Sequence, residues 1–292
     1  MIKEIIDKLV ALLAVSAVLA SCSESELWQN PQTEARDGYI MLNFKTEIPA
    51  MQEVVTRAVD PDGGGVQDMT LFCFDSYGLF ISTVKAGVTV QKPGPGEMEG
   101  TFKAEVPENT RTIHFLANQN MDEFKEDSFR NKSESEVMAV LEGSSGRMIY
   151  WGRFACDAGN DSNIAEQMAT SGNSVKLIRN HARISVDNPD NNGHIVITGF
   201  AVCNTNAFGT VAPHHPKKGF DFTWPSSDDP FVTLPVNDAK MSDITDVTSS
   251  MNQYVFECEN SADAPVSVIL RGHLPDQDEE KYYRVLLVDD KG

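Results

Sequence analysis

The side chains best suited to chemistry are histidines, cysteines and carboxylates, and their spacing argues against a reaction centre. Pro213 to Pro216 reads "PHHP", two adjacent histidines that could begin a metal site. No third ligand lies near in sequence, and bracketing prolines favour an exposed loop. "DPDGGG" (Asp60 to Gly65) is oxygen-rich but lacks the ligand series and the late bidentate glutamate of a calcium loop, so it reads as a turn-rich linker. Cys73, Cys156, Cys203 and Cys258 are far apart with no CxxC pair, which removes the usual zinc pattern. They read as buried thiols, and disulfides stay open because pairing is not legible from sequence. No G-x-S-x-G, H-E-x-x-H or glycine-rich phosphate loop occurs. A glycosidase pair could hide among 43 acidic residues, but in so acidic a chain a solvated carboxylate is the default. No catalytic residue, metal or cofactor is assigned, and a non-enzyme is expected.

Two other sites are sites of processing. Lys3 and Lys8 precede an apolar run from Leu9 to Ala20, too short to span a bilayer. The run ends in "LASC" (Leu19 to Cys22), the pattern of a bacterial lipoprotein signal, which would lipidate Cys22. "SESE" follows, similar to acidic surface-export signals of Bacteroidetes lipoproteins. Further on, Arg57 stands before the acidic glycine run, in a stretch open to proteases. The net charge of -19, from 24 basic and 43 acidic residues, excludes a nucleic-acid partner, whose phosphates need Lys and Arg.

The elements that hold these sites read as strands. "YIMLNFKT" (Tyr39 to Thr46) alternates, with Ile40, Leu42 and Phe44 on one face. Similar runs recur from "DMTLFCFD" to "YYRVLLVDD". "DSYG" (Asp75 to Gly78) is a hairpin loop. One short helix is expected over Ser133 to Gly143, with a serine cap, early glutamates, a face of Val137, Val140 and Leu141, and a glycine stop. In "VKLIRNHARISVD" the apolar phase changes near Asn180, which suggests a bulge. Many short strands with turns between them imply an all-β chain of two packed sandwiches.

These pieces together resemble the fimbrillin family, subunits of the type V pili of Bacteroidales. The likeness rests on "LASC", on "VTRA" at Val55 to Ala58, on "VQDMTLFCFDSYGLF", on "HFLANQN" (His114 to Asn120), on "VKLIRNHARISVD" and on "YYRVLLVDDKG". It implies two transthyretin-like Greek-key β-sandwich domains in tandem. The expected layout is a signal peptide over 1–22, a tether over 23–37, an N-terminal domain over 38–172 and a C-terminal domain over 173–292 lacking its last strand. The resemblance also implies outer-membrane anchoring through Cys22 and cutting between Arg57 and Ala58 by an arginine-specific protease. The strand carrying Ile40, Leu42 and Phe44, within 38–57, would then be removable, and its groove would accept a strand from another fimbrial subunit. Shaft, tip and anchor roles stay open. The alternative is a surface glycan-binding lipoprotein, for which Trp224 is the best aromatic platform.

Overall fold

A computed structural model describes residues 35–48, 66–93, 98–143, 148–186, 195–214, 219, 220, 222, 240–247, 252–256, 258, 260 and 262–287. Its first half carries β1 (Tyr39–Glu47), β2 (Met69–Phe74), β3 (Phe80–Pro93), β4 (Met98–Pro107) and β5 (Thr112–Ala117). Next come helix α1 (Glu134–Met138), β6 (Glu142–Gly143), β7 (Tyr150–Ala155), helix α2 (Ile164–Thr170), β8 (Ser174–Lys176) and β9 (Ile178–Arg179). The second half carries β10 (His181–Ser185), β11 (Val196–Thr205), β12 (Gly209–Thr210), β13 (Lys240–Met241) and β14 (Thr245–Asp246), then β15 (Asn252–Phe256), β16 (Ser267–His273) and β17 (Lys281–Leu286). The chain is mostly β, as the alternating runs imply.

Eight strands of the first half form one continuous path, β8-β1-β4-β3-β2-β5-β7-β9. The long strand β3 makes the path fold over. Its first part, Phe80 to Ala86, pairs with β2, and its second, Gly87 to Pro93, pairs with β4. The β1–β4 layer thereby comes to lie over the β2–β5 layer. Phe44 of β1 meets Phe115 of β5 edge to face, with ring centroids 5.0 Å apart, although the two strands are not neighbours in the sheet.

β2 and β5 are buried on both faces. Met69, Leu71, Cys73, Ile113, Phe115 and Ala117 face the β1–β4 layer. Phe72, Phe74 and Leu116 face a second cluster built from Val137, Met138 and Trp151, closed by Val211 and Ala212 from the second half. That double cover explains why "TLFCF" is nearly continuously apolar. The second half has its own smaller core around Phe200, Val202, Val266 and Val268.

Three local expectations change. The run 175–187, expected to open the second domain, is divided. β8 and β9 pair with β1 and β7 of the first half, and only β10 pairs with β15 of the second. The phase change at Asn180 is therefore a passage between sheets rather than a bulge. The Asn180 Oδ1 accepts the Ile149 N–H at 3.1 Å, and its own N–H donates to the Ile149 carbonyl, which fixes the crossing point. The helix begins at the Ser133 capping box but ends at Met138, so Val140 is exposed and Glu142–Gly143 pairs as a strand with β12.

Candidate functional site

β1 forms because its even-numbered side chains are apolar or β-branched and its odd-numbered ones include Asn43 and Lys45. It runs antiparallel to β4 from Tyr39↔Pro107 to Thr46↔Gly100. On its other side, Lys45 to Glu47 pair in parallel with Ser174 to Lys176. Ile40, Leu42, Phe44, Thr46 and Ile48 are all buried. Phe44 stacks on Phe102 with centroids 5.5 Å apart. Burial of the four apolar side chains favours the seated strand by about 1.5–3 kcal/mol each.

The walls of this seat are built by neighbouring elements. Ile164, Ala165 and Met168 of α2 join the same core. Asn163 caps α2 by accepting the Glu166 N–H at 3.0 Å. Gly172 (φ 77°) and Asn173 (φ 52°) turn the chain out of the helix in the left-handed region and aim β8 at β1. The Lys45 N–H then donates to the Asn173 carbonyl at 2.8 Å, and the Leu177 N–H donates to the Glu47 carbonyl at 2.8 Å. At the outer end, Arg36 donates its backbone and side-chain N–H groups to Glu105 and lies over the Tyr39 ring. The backbone bond first, then the guanidinium, hold the Glu105 carboxyl below its usual value.

At the start of β2, Asn118 anchors the chain. This residue adopts φ 63° and is buried. Its Oδ1 accepts the Gln67 N–H at 2.8 Å, its Nδ2 donates to the Met148 carbonyl, and its N–H donates to Asp68. β2 is thus fixed by contacts that do not involve β1.

A second polar cluster lies behind β5. His114 Nε2 donates to Glu134 at 2.7 Å, and Arg153 donates to both oxygens of Glu134 at 2.7 and 3.1 Å. Burial works to raise the Glu134 pKa, but the bonds from His114 and Arg153 outweigh it and hold it at about 2. Burial lowers the His114 pKa, against the pull of Glu134. Trp151 donates its indole N–H to His114 Nδ1, so no imidazole lone pair is left to take a proton from a substrate. Phe222 of the second half covers the group, with its ring 4.6 Å from that of His114. This cluster was not legible in the sequence, because its members are separated along the chain and carry no motif.

Among the described residues, no three His, Cys, Asp or Glu side chains are grouped to hold a metal ion. Cys73, Cys156 and Cys203 are free thiols, and burial pushes Cys73 up to about 12. The structure brings Ile40, Leu42 and Phe44 into one seat. Cys22, Arg57, Ala58 and Trp224 lie outside the described residues.

No family model and no curated protein sequence matches the chain. Its fold resembles that of a candidate cell adhesion protein from Parabacteroides distasonis, at TM-score 0.53 and 14% identity, over 84% of this chain and 80% of that one. A candidate cell adhesion protein from Bacteroides eggerthii matches at TM-score 0.42 and 12% identity, over 84% and 79%. The fimbrial anchor protein Mfa2 from Porphyromonas gingivalis matches at TM-score 0.29 and 13% identity, over 84% and 83%.

Proposed function

We propose that the chain is a non-catalytic fimbrial subunit or fimbria-associated adhesin, built from two β-sandwich domains and displayed on the outer membrane. In this reading it is made as a lipoprotein precursor held through Cys22. An arginine-specific protease cuts between Arg57 and Ala58, and β1 is exchanged for a strand of another subunit. The observation that carries the proposal is the seat of β1. The strand before Arg57 is bound like a ligand, through one ladder, alternate side chains and a short second ladder. The strand after Arg57 has its own anchor at Asn118. The fold shared with the Parabacteroides distasonis protein, described as an adhesion protein, agrees with a role at the cell surface.

The energetics set the order of events. Four buried apolar side chains hold β1 with on the order of 6–12 kcal/mol before strand entropy is counted. In this reading the β4 and β8 ladders, added to that burial, keep β1 seated after the cut until another strand displaces it. Exchange proceeds by displacement, and an empty groove with an open sheet edge is avoided. The test is N-terminal sequencing of the protein recovered from surface fibres. A start at Ala58 is expected. A lipid-blocked start at Cys22 in assembled fibres would overturn the exchange reading and point to an anchor.

A further inference from the structure

The resident strand has one flaw. Four of its five inward residues are apolar, and the fifth is Thr46. Its relative exposure is 0%, and among the described residues its Oγ1 has no hydrogen-bond partner. Thr46 also lies where β1 is most enclosed. It stands level with Gly100 of β4 on one side and with Val175 of β8 on the other. Bulk solvent does not reach the side chain there, and the neighbours at that level are a glycine and a valine, neither of which offers a side-chain acceptor. A hydroxyl buried without a partner disfavours the bound state relative to a methyl group in the same place. Threonine and valine share one branched shape, so the seat fits the resident strand sterically and opposes it chemically at this position.

Resting on the exchange reading above, we propose that Thr46 marks the position at which the groove selects its partner. The groove takes an incoming strand of a fimbrial subunit whose inward residue at the Thr46 level is a valine-like aliphatic, and it holds that strand more tightly than its own. Ile40, Leu42, Phe44 and Ile48 supply no such preference, because each already presents a fully apolar side chain. The precursor is thereby closed by a strand good enough to fold on and poor enough at one register position to lose.

The direct test uses the full chain with an engineered protease site placed between Ile48 and Val66, so that cutting does not depend on Arg57. After cutting, the chain is offered two fluorescent peptides of the sequence of residues 39–48, one natural and one with valine at the Thr46 position. The valine peptide is expected to bind about tenfold more tightly. Equal affinity, or tighter binding of the natural peptide, overturns the proposal and leaves exchange standing. Uptake of neither peptide overturns exchange and the selection rule with it. In the uncut chain Thr46→Val is expected to raise Tm by about 2–4 °C. An unchanged or lowered Tm overturns the argument from the unpaired hydroxyl, whatever the peptides do.

Discussion

Trp151 donates its indole N–H to Nδ1 of His114 across 3.0 Å, with both side chains buried. That bond leaves Nε2 as the only imidazole donor, and Glu134 receives it together with Arg153. The carboxylate thus satisfies two buried or half-buried donors from two strands, and it sits on the first turn of α1. Glu134→Ala would leave both donors without their acceptor. A loss of about 3–5 kcal/mol is expected in urea unfolding. A loss below about 1 kcal/mol would show that the cluster does not hold α1 to the sheet.

The same groups set the acid response. Glu134 has a folded pKa of about 2 against 4.5. It therefore stabilises the fold above pH 4.5 and loses that contribution as pH falls toward 2. Burial lowers His114, and burial lowers His181 from 6.5 to about 4. Each histidine binds fewer protons folded than unfolded, so stability begins to fall below pH 6.5, and the His181 share is gone by pH 4. His181 packs at a tilt against Phe256, and its Nε2 is buried with no partner among the described residues, so a proton there has nowhere to be solvated. Its share is up to about 3 kcal/mol. Thermal unfolding against pH is expected to decline in two stages, and His181→Phe should flatten the first.

Phe256 also packs against two glycines of the β6–β12 pair. A Cβ on Gly209 would overlap its ring, and one on Gly143 would come within 2.9 Å of it. Gly209→Ala is expected to lower stability by about 1–3 kcal/mol through overpacking. The measurement is urea unfolding followed by tryptophan fluorescence. A neutral result would mean that β12 can move off β6 at no cost.

β1 offers the sharpest contrast between two adjacent positions. Phe44→Ala removes a ring lodged between Phe102 and Phe115 and is expected to cost about 3–5 kcal/mol. Lys45→Ala, on the exposed face, should stay within about 0.5 kcal/mol. Similar losses at both would mean that alternate burial does not hold the strand.

What could be read from sequence was local. The Asp75 to Gly78 turn is carried by its own residues. Asp75 Oδ1 accepts the N–H groups of Tyr77 and Leu79, and Gly78 takes φ 72°. The alternation of β1 and the Ser133 cap were legible for the same reason. The helix end was not, because Glu142–Gly143 is recruited by Gly209 and Thr210, far along the chain. Nor was the fate of "VKLIRNHARISVD", since periodicity reports which side chains are buried and not which sheet buries them. β2 and β5 make the same point. Their second apolar face is explained by Val211, Ala212 and Phe222, which no window around Phe72 or His114 contains.

The path through β3 has a mechanical meaning. A pull along β1 acts parallel to its ladder with β4, so all eight register pairs from Tyr39 to Thr46 share the load at once. From β4 the tension passes into β3, whose unbroken backbone belongs to both layers and delivers it to β2. Peeling β1 from one end breaks its bonds in sequence and needs little force at any moment. A strand in that seat is therefore easy to peel from its end and hard to drag out along its axis, so its resistance depends on the direction of the load.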